Sequence, residues 1–287
     1  MIVTTRKSDE MSPYFMLMSD LHIGSAFTSM AKIKEDLEMA RRYNARILIN
    51  GDVFDAILPS DRKRFNPNVL SEALRGRADV LNAALDMAVT LLSPYADLID
   101  VIGVGNHDTA LEKHHSVDLV LLLVERLNTL VDGADVRYGG YTGYYAVTPP
   151  DNIKGARFVF YYHHGSGGDS PTTKGIGDFQ RKLAWVSDAN VIWMGHKHHR
   201  YADKMMRQKL CKSGRISHIE VLCVMSGAYS DTYTQQTQAD VRQRGRSASY
   251  ASDWGGAPRM KGGVLVRING SHDRWTGRLP LNSEAVV

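Results

Sequence analysis

Along this chain, short apolar runs repeatedly break into polar clusters. Tyr14–Met18 (YFMLM) predicts a buried strand that opens into Asp20-Leu21-His22. Arg46–Ile49 (RILI) predicts a second, running into Gly51-Asp52-Val53-Phe54-Asp55, and Leu98–Val104 a third, delivering Gly105-Asn106-His107-Asp108. Arg157–Tyr162 ends at His163-His164-Gly165, and Val191–Met194 at Gly195-His196-Lys197-His198. Tyr144–Thr148, His218–Met225, Gly263–Ile268 and Arg274–Arg278 complete the predicted strands.

Helical spacing fills the intervals. Ile33, Leu37 and Ala40 place a helix over Ala31–Tyr43. Ala78–Leu92 is amphipathic and stops at Ser93-Pro94. His115–Leu130 predicts a long helix with Ser116 as its N-cap, and Asp178–Val186 a short one. Early strands alternate with helices, whereas later strands follow one another. That order predicts two packed sheets flanked by helices, not one doubly wound sheet. Polar excursions interrupt it at about 59–77 and 227–262. Without an internal repeat or a clear linker, residues 1–287 read as a single domain.

Composition adds bounds. Of 287 residues, 43% are hydrophobic and 23% charged, which lets a large core form. The formal charge of +4 is compatible with a phosphate-bearing partner. Cys211 and Cys223 form no metal-binding or disulfide framework, so the expectation is reduced thiols in a cytoplasmic protein. The N-terminal residues lack the apolar core of a signal peptide. The stretch VDLVLLLVERL is too short to span a bilayer, so no membrane partner is expected.

Chemistry enters through position. In open α/β sheets, the loops beyond strand C-termini gather on one edge, where ligands bind. The clusters would bring together carboxylates, imidazoles and a carboxamide, a set without thiolate that suits Mn, Fe, Zn, Co or Ni. The donors suffice for two ions sharing one carboxylate. Such a pair, roughly 3.5–4 Å apart, can hold a phosphoryl group and activate a bridging water for in-line attack.

The blocks DLH (20–22), GDVFD (51–55), GNHD (105–108), HHG (163–165) and GHKH (195–198) resemble the five signature blocks of the calcineurin-like metallophosphoesterases, in that family's order, across about residues 14–230. The resemblance implies an α/β fold: a four-layer α/β/β/α sandwich of two mixed β-sheets carrying two divalent transition-metal ions, manganese first among the candidates. Carried over by position, Asp20, His22 and His198 would hold one ion, and Asp52 would bridge. Asn106, His196 and one histidine of the 163–164 pair would hold the second. Relatives with an HG block point to His164; those with an HHP block point to the first histidine, here His163. His164 is preferred, with His163 a packing residue.

The same resemblance leaves His107 facing the substrate, where it can protonate the departing oxygen or hold a phosphoryl oxygen. Asp108 either fixes the His107 ring or caps a helix or turn. Asp55 is expected near the ligands without being one. Ala56-Ile57 stand where protein phosphatases carry arginine, which disfavours that branch. The implied function is a metal-dependent phosphodiesterase using a metal-bridging hydroxide, with DNA or RNA among its substrates. Phosphomonoesterase, nucleotide pyrophosphatase and non-catalytic scaffold are the alternatives.

Two basic stretches adjoin the blocks. One holds Arg62, Lys63, Arg64, Arg75 and Arg77; the other holds Arg242, Arg244, Arg246, Arg259 and Lys261 among Tyr229, Tyr233, Tyr250 and Trp254. They read either as solvated loops or as a phosphate-and-base groove. Gly165, Gly167, Gly168, Gly175 and Gly177, with Lys174 between them, suit a loop over the site with a phosphate contact. His114, His115 and His199 are expected at the periphery.

Overall fold

The computed structural model describes residues 1–55, 69–150, 157–168, 170, 172–211, 213–231, 233, 237–238, 257–269 and 282–286. Its centre is a pair of mixed sheets. One runs β12 (Asn282–Val286), β11 (Val264–Asn269), β2 (Tyr14–Met18), β3 (Arg46–Asn50), β4 (Ile99–Gly103), β5 (Arg137–Gly140). The other runs β1 (Ile2–Lys7), β6 (Thr142–Thr148), β7 (Phe158–His163), β8 (Val191–Met194), β10 (Ile216–Met225), β9 (Tyr201–Leu210). Strands β2 to β5 are mutually parallel, as are β7, β8 and β10.

Alternation within each strand divides the core into three seams. Phe15, Leu17, Leu48 and Val101 face Tyr145, Phe160, Tyr162, Trp193 and Val224 between the sheets. The opposite faces of β2, β3 and β4 present Met16, Met18, Ile47, Ile49 and Ile102 to helices α1 (Met30–Arg42), α2 (Val80–Leu92) and α4 (Leu119–Leu130). Beyond the other sheet, Ile192, Met194, Val221 and Cys223 pack with Phe179 of α5 (Ile176–Leu183). Three buried seams make four layers, α/β/β/α, with the layer on β8 and β10 the thinner. Each buried Leu, Ile or Phe side chain contributes about 1.5–3 kcal/mol.

At the end of the sheets away from the polar clusters, Asp100 ties the layers together. It receives Arg6 Nη1 at 2.9 Å, Arg46 Nε at 3.0 Å and the Tyr145 hydroxyl. Arg6 and Tyr145 belong to one sheet, Arg46 and Asp100 to the other.

The expected helix at His115–Leu130 is corrected. A separate helix, α3 (Asn106–His115), starts on the polar cluster itself, and Ser116 closes it in a left-handed conformation (φ 54°). The next helix begins at Leu119, capped by Asp118, whose Oδ1 accepts the Leu121 N–H at 2.9 Å. Strands β1, β5, β9 and β12 add to the sequence expectation, and the strand expected at Arg274–Arg278 lies outside the described residues. No helix of the described residues is long and apolar enough to cross a membrane.

Candidate metal centre

Parallel pairing brings the C-terminal ends of β2, β3 and β4 to one edge, and those of β7, β8 and β10 to the facing edge. The loops beyond them are stitched together. Asp20 N–H donates to the Gly51 carbonyl at 2.9 Å, and His22 N–H to the Asp52 carbonyl at 3.0 Å. Gly195 N–H meets the His164 carbonyl at 2.9 Å within one sheet's loops, and the two sheets join where His196 N–H meets Asp20 Oδ2 at 3.0 Å. A Cβ on Gly105 would stand 2.1 Å from Asp52 Oδ1, and one on Gly195 would stand 2.6 Å from Asp20 Oδ2. These glycines let backbone pass directly against the two carboxylates.

Among the described residues, three groups of side chains could hold a cation: Asp20, His22 and His198; His22, Asp52 and His107; and Asp52, His164 and His196. Within each, the ligand atoms lie within 4.8 Å of one another. His22 and Asp52 each belong to two groups, so the set is continuous. The Nε2 atoms of His22 and His198 face each other at 3.4 Å, and His198 Nε2 lies 3.3 Å from Asp20 Oδ1. His164 Nε2 lies 3.2 Å from Asp52 Oδ2.

The donors fit metal. His22 Nδ1 and Asn106 Oδ1 are buried without a hydrogen-bond partner, a costly state for polar atoms unless something binds there. His164 Nδ1 donates to the Asn50 carbonyl at 2.7 Å, which turns the lone pair of Nε2 towards Asp52. Against the upward push of burial, His198 and His164 hold the Asp20 carboxyl down at about 2. Asp52 is also lowered, by His164 and His107 working against burial. In return, and against burial, Asp52 and Asp20 raise the His164 imidazole to about 10. The charge that retains a proton there equally favours a divalent cation in its place. Burial and the neighbouring His107 push His22 down to about 4, which keeps it a neutral donor.

The backbone carries a second signature. Asp20 (φ 56°), His22 (φ 49°), Asp52 (φ 48°), His196 (φ 66°) and His198 (φ 56°) all adopt the left-handed conformation that L-residues avoid. Such strain gathers where the surrounding fold fixes functional groups.

His107 and Asp108 separate in role. The His107 N–H donates to Asp52 Oδ1 at 2.8 Å, its Nε2 lies 4.0 Å from Asp52 Oδ2, and its Nδ1 meets Asp55 Oδ1 at 3.0 Å. The expectation that Asp108 fixes the His107 ring is therefore corrected. Asp108 accepts the N–H groups of Gly105 at 2.8 Å, Phe54 at 3.0 Å and Val53 at 3.2 Å, as the third residue of α3 closing its N-terminus. Burial and the charge of Asp52 raise its carboxyl to about 6. Asp55 takes the orienting place, and its own carboxyl is lowered, against burial, by the His107 bond.

His163 belongs to none of the three groups. Its Nδ1 accepts the Gly165 N–H at 2.9 Å, its ring packs against Tyr141, and burial pushes it down to about 4. The Lys174 side chain is exposed, and its carbonyl accepts the Tyr201 hydroxyl. His114 and His115 stand at the far end of α3, with ring centroids 6.5 Å apart. Arg62, Lys63, Arg64, Arg242, Arg244, Arg246, Tyr250 and Trp254 lie outside the described residues. Described residues at one end of each excursion lie beside the segment that follows His22. Segment 24–29, directly after His22, bridges to Leu70 through Ser25 and to Ser230 through Thr28.

Lys197 and Tyr141 went unrecognised in the sequence. The Lys197 ammonium donates to the Gly167 carbonyl at 3.0 Å and to the Gly168 carbonyl; the Tyr141 hydroxyl donates to the Gly165 carbonyl at 2.7 Å. A lysine between two candidate ligands was the available signal for the first. Tyr141 had none, since it sits outside every block.

No family model matches the chain, and no curated protein matches it. Solved structures similar to it include a candidate 5′-nucleotidase from Staphylococcus aureus, at 13% identity and TM-score 0.45, covering 96% of this chain and 53% of that one. The calcineurin-like phosphoesterase YfkN from Bacillus subtilis is similar at 10% identity and TM-score 0.35, covering 82% and 96%. A metallophosphoesterase from Sphaerobacter thermophilus is similar at 15% identity and TM-score 0.33, covering 85% and 95%. The chain spans about half the length of the first of these.

Proposed function

We propose that this chain is a metal-dependent phosphoester hydrolase that acts on phosphodiesters, with polynucleotides as the substrate class. The observation that carries the hydrolase reading is the continuous run of cation-capable groups linked through His22 and Asp52, with the His107 ring set beside them. Asp20, His22 and His198 would hold one ion; Asn106, His164 and His196 would hold the other, with Asp52 shared. Manganese is the first candidate. When bound, two such ions polarise a phosphoryl oxygen and lower the pKa of a water molecule.

The chain's own residues supply the rest. Asp55 accepts from His107 Nδ1, which turns Nε2 towards the Asp52 side of the site. A carboxylate in that place favours the imidazolium, so Nε2 can give a proton to the departing oxygen. Phosphodiesters and polynucleotides are supported by the charge distribution. The excursions at 59–77 and 227–262 are both net basic, the rest of the chain carries a slight negative balance, and one described residue of each, Leu70 and Ser230, bridges to the segment after His22. A cytoplasmic setting is supported by two free cysteines.

An activity panel with added manganese tests the proposal, using aryl monoesters, aryl diesters, single-stranded DNA and duplex DNA. Hydrolysis of diesters over monoesters is expected. Asp52→Asn should abolish it, and replacing Arg242, Arg244 and Arg246 together should slow DNA cleavage more than aryl diester cleavage. A wild-type chain that binds no transition metal and cleaves no ester overturns the proposal.

A further inference from the structure

The GHKH block places Lys197 between two candidate ligands, and its side chain shares a backbone carbonyl with one of them. It is only 5% exposed, and its ammonium lies against the carbonyls of Gly167 and Gly168, 3.9 Å from Asp178 Oδ2 on α5. Burying an ammonium is costly unless it is paired and hydrogen-bonded, so its place is specified rather than incidental. The Gly167 carbonyl it grips has a second donor, His196 Nε2, at 2.9 Å. A carbonyl only accepts, so His196 must carry its proton on Nε2 to make that bond. Its lone pair is then on Nδ1.

The loop is held from other directions as well. The Tyr141 hydroxyl fixes the Gly165 carbonyl, and His163 Nδ1 receives the Gly165 N–H. Gly165 lies against His196 so closely that a Cβ there would stand 2.6 Å from the His196 Cβ. Arg259 Nη1 donates to the Lys197 carbonyl at 2.7 Å, holding the backbone of the lysine itself.

We infer that Lys197 is a positioning residue for the second metal position: by holding the Gly167 carbonyl against His196 Nε2, it fixes the tautomer that presents Nδ1 as the ligand atom. The inference rests on the proposed two-ion centre. It extends that centre by one residue that touches neither substrate nor ion. Partners that orient a ligating histidine in this way typically change metal affinity by about 10–100-fold when removed.

The test reads metal binding and proton position rather than turnover. Manganese is titrated calorimetrically into the metal-free wild type, Lys197→Met and Lys197→Arg, and imidazole 15N shifts report the His196 tautomer in the metal-free wild type. Two binding steps are expected for the wild type. Lys197→Met should weaken one step about 10–100-fold and leave the other within about twofold, while Lys197→Arg, which keeps a donor, stays nearer the wild type. The wild-type spectrum should show His196 protonated at Nε2. The inference is overturned if Lys197→Met binds both ions as the wild type does, or weakens both steps equally. It is also overturned if the wild-type spectrum places the proton on Nδ1, a result that stands even if Lys197→Met does not fold. A wild type that binds no manganese refutes the two-ion reading, whereas a wild type with two steps beside an unaffected Lys197→Met refutes only the role of the lysine.

Discussion

Asp55 Oδ1 lies 3.0 Å from His107 Nδ1, so the carboxylate that governs the ring comes from the loop after β3, not from the residue next to the histidine. Removing it should leave the metal groups in place and disturb proton delivery. Asp55→Asn is expected to lower kcat about 10–100-fold on a diester with a poor leaving group, with much less effect on a nitrophenyl diester. Metal content should not change. Steady-state kinetics on the two substrates, alongside elemental analysis, checks this.

Asp108 predicts a contrasting phenotype. Three backbone N–H groups converge on its buried carboxylate. Asp108→Ala strands them, at about 1–3 kcal/mol for each buried group left unsatisfied. Denaturant unfolding should show that loss, and metal affinity should fall with it because α3 carries Asn106.

Gly105→Ala is a packing test of the same corner. The added methyl would stand 2.1 Å from Asp52 Oδ1, and both belong to backbone-fixed elements. A loss of about 1–3 kcal/mol in unfolding free energy is expected, together with weaker manganese binding. Wild-type values for both would show that Asp52 has more freedom than the structure gives it.

At the opposite end, Asp100→Ala should cost about 3–5 kcal/mol, because it leaves Arg6 and Arg46 without their shared carboxylate. Metal affinity should hold in the fraction that folds. Chemical denaturation followed by far-UV circular dichroism separates this clasp from the site.

Burial, aided by Asp203, pushes the Cys223 thiol up to about 12. The native chain should therefore leave Cys223 unreacted with a thiol-specific disulfide reagent at neutral pH, and denaturation should expose it. Peptide mapping after native labelling tests this directly.

The five polar blocks were legible because each follows an apolar run, and parallel strands carry such ends to one edge. Helix α3 was not. It begins on Asn106, His107 and Asp108, whose side chains serve the site and the helix end, so its apolar period is nearly absent; among its residues only Asp108 and Leu111 are buried. Strands β1 and β9 were missed because they lie at the sheet edges and keep many residues exposed, which erases the apolar run. Of the two roles offered for Asp108, closing a helix end holds, and orienting His107 passed to Asp55 because adjacency in sequence placed the wrong carboxylate beside the ring. On a helix the side chains of consecutive residues diverge, and the loop after β3 supplied the nearer group.

The left-handed backbone at Asp20, His22, Asp52, His196 and His198 also sets fold against chemistry. Each such residue holds a conformation that glycine would occupy freely, so replacing His198 with glycine should make the empty chain more resistant to heat while removing a metal ligand. A screen for thermal tolerance alone would therefore drift towards inert variants. The native sequence keeps that tension at five points around one candidate metal centre.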